Sequence, residues 1–162
     1  MSIPLATRAL DPDPDWAFFH DAAPVAAEDR SAIVALDDAS ARRVWDAVVA
    51  QAIPATVVAR DGWLCELTDG FRWQDAWNDR DDGWAARELA ARIGWGDDDE
   101  VLFVTRPRRA LRTRFGVFLR AWRAFLLDDD EGPLLVSLTK PQVAWFHPSG
   151  NGLTGRRPGV AG

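Results

Sequence analysis

The chain has 162 residues, 48% hydrophobic and 27% charged, and a net charge of −6. That length makes one domain able to bury roughly 70% of the surface its unfolded state exposes, which excludes global disorder. Its one cysteine, Cys65, rules out an internal disulfide and a cysteine-rich zinc site.

The first 15 residues show no apolar segment behind a basic start, the mark of a secretory signal. No run approaches the ~20 apolar residues of a membrane span. A soluble, cytoplasmic protein with no membrane partner is expected. Residues 11–15 alternate Asp and Pro, which holds the backbone extended. Residues 16–20, WAFFH, read as a short strand, and residues 28–34 as one or two helical turns. Asp37, Asp38 and Ser40 offer N-caps for a helix over 39–51, with Val44, Trp45, Val48 and Val49 on one stripe. Residues 56–59 read as extended before a turn at Asp61-Gly62. Cys65 follows among apolar neighbours, where an inert thiol is expected.

Trp73, Trp77 and Trp84 lie in an Asp-rich stretch that forms one helix or two short ones, with 84–93 helical and ended by Gly94 or Gly96. After the acids 97–100, residues 101–105 are the clearest strand. Phe115, Phe118, Leu119, Trp122, Phe125 and Leu126 recur at helical spacing and predict an amphipathic helix from about Arg112 to Leu127. Arg114, Arg120 and Arg123 fall on its wetter flank. Gly116 weakens that helix by about 1 kcal/mol relative to Ala, which points to a close approach by another element. The acids 128–131 sit at the unfavourable end of the helix macrodipole, so the chain leaves the helix there and Gly132-Pro133 completes the stop. Residues 134–138 and 143–146 pair as strands. The tail from Gly150 is too rich in glycine to pack alone and frays near its end.

The expectation is an α+β fold: one compact domain over 1–155 and a flexible tail at 156–162. A small, mainly antiparallel sheet from 101–105, 134–138 and 143–146 is packed by helices including 39–51 and 112–127. Trp45, Phe103, Phe118, Trp122, Phe125 and Trp145 are the expected core.

The order of landmarks carries a resemblance. An early Trp16 precedes the Val44-Trp45 helix and the Trp73/Trp77 stretch. Then come Gly116-Val117-Phe118, Trp122, Phe125-Leu126, an acidic Gly132-Pro133 turn and a closing Gly155-Arg156-Arg157-Pro158. This resembles an uncharacterised bacterial family, domain of unknown function 2947, over most of the chain and most strongly at 115–135. The resemblance implies a compact bacterial domain and brings no catalytic residue with it.

Tests for chemistry along the chain mostly fail. Asp11, Asp13 and Asp15 imitate a calcium loop, but Trp16 stands where that loop needs Gly and Ala22 where it needs a bidentate Glu. Adjacent acids at 97–100 and 128–131 point apart, and cation ligands must converge. His20 and His147, the two histidines, lie far apart and would need a carboxylate beside them to hold a metal. No GxSxG, P-loop, GxGxxG or HExxH motif occurs. No cofactor or metal is implied.

Charge is the remaining lead. Residues 1–105 hold 9 Arg and 21 acids, and residues 106–162 hold 10 Lys and Arg against 4 acids. The candidate binding residues are Arg106, Arg108, Arg109, Arg112 and Arg114, between strand and helix, with Arg120 on the helix. Guanidinium groups grip phosphate or carboxylate bidentately. The competing reading is that they offset the chain's own acids at 78–82, 97–100 and 128–131. Arg109, Arg112 and Arg120 are expected to share one surface. The acidic whole disfavours nucleic acid. The expected function is non-catalytic binding of a protein partner, as by an inhibitor or immunity-type protein. The alternatives are an enzyme that holds an anionic substrate by Arg, and a nucleic-acid accessory protein.

Overall fold

Residues 101–104 are apolar at every position, and a strand of that pattern needs cover on both faces. The structure, a computed structural model describing residues 3–49, 67, 69–79 and 82–160, provides it. The chain begins with β1 (Thr7–Ala9), a 3-10 turn (Trp16–Phe19), α1 (Ala27–Ser31) and β2 (Val34–Leu36). Next come α2 (Asp38–Val44), continued by a π-helical turn (Trp45–Val49), then β3 (Asp69–Arg72), α3 (Trp73–Asp79) and α4 (Asp82–Ile93). β4 (Glu100–Arg106), β5 (Arg109–Arg114), α5 (Phe115–Asp128), β6 (Leu134–Val136), β7 (Gln142–Phe146) and β8 (Asn151–Arg156) complete it. The strands form one eight-stranded sheet in the order β1-β2-β5-β4-β6-β7-β8-β3. Every pairing in it is antiparallel. This is a single compact α+β domain. Among the described residues no helix is long and apolar enough to cross a membrane.

One face of the sheet meets α5. Phe115, Phe118 and Phe125 are fully buried there, with Phe103 and Leu135 of the sheet beneath them. Phe125 stands edge-on to Phe103 at 5.2 Å and to Phe18 at 4.9 Å, the T-shaped geometry that opposite quadrupole ends favour. The other face meets α2 and its π-helical extension. Leu102, Val104, Leu134 and Val136 there pack with Val44 and Val48. Central strands β4 and β6 are thus covered on both sides, which is why their sequences do not alternate.

Expected caps and stops hold. Asp37 accepts the Ser40 N–H at 2.7 Å and opens α2. Gly94 closes α4 with a φ of +72°, a conformation glycine adopts without a steric penalty. The Trp73–Trp84 stretch is two helices.

Other expectations are corrected. Residues 16–20 are not a strand: Trp16 and Phe19 are exposed while Ala17 and Phe18 are buried. That is the three-residue period of a 3-10 turn, not alternation. Residues 112–114 belong to β5, so α5 begins at Phe115. Helix 39–51 is regular only to Val44. Trp45 and Trp145 are half-buried at the rim of the second core. The glycine-rich tail supplies β8 because its glycines leave room: a Cβ on Gly152 would come 2.7 Å from the Phe71 ring. Arg157 beyond it is held too, its backbone N–H donating to Pro141 O at 2.8 Å. The extended stretch 56–59, the Asp61-Gly62 turn and Cys65 lie outside the described residues.

Trp122 tests the α5 core. It is 3% exposed and meets Trp77 edge-on at 6.1 Å, and its indole N–H has no partner among the described residues. Trp122→Ala is expected to lose about 3–5 kcal/mol and to unfold far below wild type in thermal denaturation. Trp122→Phe keeps a ring and removes the unpartnered donor, so it should melt well above the alanine variant.

Candidate functional site

Side chains of a strand alternate between faces, so β5 cannot present its arginines together. Arg109 shares the α5 side with Leu111, whereas Arg112 lies opposite Leu102 on the other side. The six candidates therefore separate into three places.

Arg109 enters a buried charge cluster. Its Nη1 donates to Asp15 Oδ1 at 2.9 Å, and its Nε and Nη2 grip both oxygens of Asp128. Asp15 also accepts from Arg8 at 2.6 Å and from the Asp11 N–H at 2.9 Å. The Asp15 side chain is 0% exposed and that of Asp128 4%. Burial works against the Asp15 carboxylate, but its hydrogen bonds with Arg8, the Asp11 N–H and Arg109 outweigh this and hold it below its ordinary range. At Asp128 burial wins, and the carboxyl is pushed up despite Arg109. The third acid of the calcium-like sequence is thus an internal counter-ion.

Arg106 and Arg108 flank the β4–β5 turn. Arg106 reaches Asp129 at 3.5 Å, and Arg108 is exposed with no ion pair among the described residues.

Arg112, Arg114 and Arg120 do come together. They line one open cleft of about 690 Å³ between α1, the 97–100 loop and the start of α5. Gly116 forms part of its wall: its N–H donates to Asp97 O at 2.9 Å, and a Cβ would come 3.0 Å from that of Asp97. The predicted close approach at Gly116 is therefore the docking of this acidic loop. Arg120 holds Asp29 with two groups, at 2.8 and 3.0 Å. Its hydrogen bond draws the Asp29 carboxyl down. Arg114 meets Asp98 at 3.0 Å, and Arg112 stands 3.9 Å from Glu100. Glu28 and Asp97 line the cleft with no ion pair among the described residues.

Several acids of the two runs are thus neutralised from within. Asp98, Asp99 and Glu100 pair with Arg114, Lys140 and Arg112, while Asp128 and Asp129 pair with Arg109 and Arg106. Arg109 does not share a surface with Arg112 and Arg120. The acidic half of the cleft escaped the sequence reading because Glu28 and Asp29 approach the 97–100 loop only through folding. The exposed pair Trp16 and Phe19 carries a signal in the sequence, an i, i+3 spacing around Ala17-Phe18 that fits a 3-10 turn and not a strand. His20 and His147 serve local turns, each Nδ1 accepting a backbone N–H two residues on, from Ala22 and Ser149.

An antiparallel eight-stranded sheet with a principal helix on one face and a charged cleft at that helix's start defines the class of domain. The chain belongs to the family described as protein of unknown function (DUF2947), whose model matches residues 11–155. Neither the curated proteins nor the solved structures compared with it contain a match.

The cluster around Arg109 has a definite pH signature. Arg109→Met strands the buried Asp128 carboxylate without its cation, a loss of about 3–5 kcal/mol. In that variant the folded-state pKa of Asp128 lies further above its unfolded value, so the folded state binds the extra proton. Stability then rises as pH falls from 7 towards 5. Melting temperatures across that range should climb with acid for Arg109→Met relative to wild type; parallel profiles would exclude this role.

Proposed function

We propose that the chain is a non-catalytic binding protein of the bacterial cytoplasm, an inhibitor or immunity-type protein that engages a protein partner through the α1–α5 cleft. The observation that carries this reading is the exposure of the cleft's arginines, and above all of the Arg114–Asp98 pair, in which both side chains are exposed. The side chains of Arg114 and Arg120 are 67% and 59% exposed although both are paired. Exposed pairs contribute little to stability, so a partner's carboxylate can replace Asp98 on Arg114 without unfolding anything. The guanidinium groups are meanwhile held in place, and Arg is enriched among residues that dominate interface energetics.

Both signs of charge in one cleft favour a protein surface, where complementary patches set specificity. A nucleic-acid backbone would bring phosphates against Glu28 and Asp97 as well as towards the arginines, so the cleft disfavours it.

The test compares wild type with Arg112→Gln/Arg114→Gln/Arg120→Gln in affinity capture from the native host, after matching their melting curves. Gln removes the charge while keeping a hydrogen-bonding side chain, and all three sites are outside the buried cluster. A specific partner should be lost or reduced by about tenfold or more, the scale of an interface hot spot. Retention of every wild-type partner by the folded variant removes the cleft from consideration.

A further inference from the structure

We propose that the outward face of the Trp16–Phe19 turn is a docking surface for a basic, Arg- or Lys-bearing segment of a partner protein. This rests on the reading that the chain works by binding a protein, and it names that partner's chemistry. Trp16 is 46% exposed and Phe19 37%, the exposed large hydrophobics among the described residues. In a 3-10 turn positions i and i+3 eclipse, so the two rings project from one side. Exposed aromatic rings of this kind are what an interface buries.

The mount beneath them is rigid. Ala17 and Phe18 point inward and are buried, with Phe18 against Phe125. Asp15, the residue before the turn, is held by Arg8 and Arg109 and accepts the Asp11 N–H. A partner therefore meets a preformed surface and little ordering is required on binding.

Charge selects the partner. Asp11, Asp13 and Asp21 surround the turn in sequence, are exposed, and make no ion pair among the described residues. Of the neighbouring cations, Arg8 is committed to Asp15. Arg30 lies over the Phe19 ring at 4.6 Å. The turn thus already holds one guanidinium by cation–π attraction, and Trp16, the better ring for it, holds none among the described residues. His20 stands edge-on to Trp16 at 5.6 Å and steadies it. Unpaired acids on both flanks of the turn in sequence favour a cation that approaches the open indole, and they disfavour an acidic group.

The probe is hexa-arginine amide, titrated into full-length protein labelled with 5-fluorotryptophan and followed by fluorine NMR. The Trp16 resonance is assigned by its absence in Trp16→Phe. Hexa-arginine should move it saturably, and hexa-glutamate should not. Asp11→Asn/Asp13→Asn/Asp21→Asn should weaken binding about tenfold through the loss of three surface charges; Asn keeps the side-chain oxygen that caps the Asp13 N–H. Neutralising Asp46, Asp75 and Glu131 elsewhere on the surface should leave affinity within about twofold. The Arg112→Gln/Arg114→Gln/Arg120→Gln variant should bind hexa-arginine like wild type, so failure of the cleft and failure of the turn are read separately. An unmoved Trp16 resonance overturns the proposal, as does equal weakening by the two acid triples. Movement by oligothymidylate instead assigns the surface to nucleic acid and overturns it too. A dimer in sedimentation that Trp16→Ala abolishes would give the surface to a second copy, with the same consequence.

Discussion

Arg109 ties the N-terminal segment and the last turn of α5 to β5 at one point. Its two carboxylate partners lie 94 and 19 residues away in sequence. One belongs to the N-terminal segment that carries the 3-10 turn, the other to the last turn of α5. An acid at a helix C-terminus faces the negative end of the macrodipole, and burying it adds desolvation. Asp128 is tolerable there because Arg109 supplies the opposing charge from the neighbouring strand. Such a cluster adds little over a well-packed apolar alternative, yet it is very costly to break. Its effect is to fix geometry: once the guanidinium is held, the N-terminal segment lies over α5 and Phe18 is delivered to Phe125.

Around that point the fold is a sheet covered unevenly. α5 and the aromatic cluster cover one face, and the short α2 with its π-helical turn covers part of the other. Strands β4 and β6 lie where both covers overlap. Gly116 extends the arrangement to the surface, because the missing Cβ lets the 97–100 loop seat its backbone on the first turn of α5. A packing requirement of the helix thereby shapes the cleft that contains Arg112, Arg114 and Arg120.

What could be read in the sequence follows from where each signal is local. The α5 stripe, the 101–105 strand, the caps at Asp37 and Gly94 and the family resemblance all rest on spacing within a few residues. β1, β2, β3 and β8 escaped because they are three to six residues long and are defined by their partners. β5 was hidden for a different reason: its three arginines read as a binding segment between strand and helix, although Ala110, Leu111 and Thr113 between them are buried. Glycine gave two signals of opposite value. At Gly116 its cost to helix stability points correctly to a close contact, whereas in the tail its abundance hides a strand in which Gly152 makes room for Phe71. In both places glycine marks an approach that a side chain would block.

The charge asymmetry between the two halves of the sequence has a similar resolution. Positive charge after residue 105 pairs largely with carboxylates that are close in the folded state: Arg106 with Asp129, Arg109 with Asp15 and Asp128, Arg114 with Asp98, Arg120 with Asp29, Lys140 with Asp99. The acidic excess of the first half is left over, and part of it gathers on either side of α1. On one side Glu28 and Asp97 stand in the cleft, and on the other Asp11, Asp13 and Asp21 accompany Trp16 and Phe19. α1 links the two sides directly, since its Asp29 bonds Arg120 in the cleft and its Arg30 covers Phe19 on the turn. A partner that reaches across α1 would meet paired arginines first, then the exposed aromatics of the turn, flanked in sequence by acids that make no ion pair among the described residues. On the proposed reading, the partner is a protein surface with an acidic group placed to exchange into the cleft and a basic segment placed to lie on Trp16.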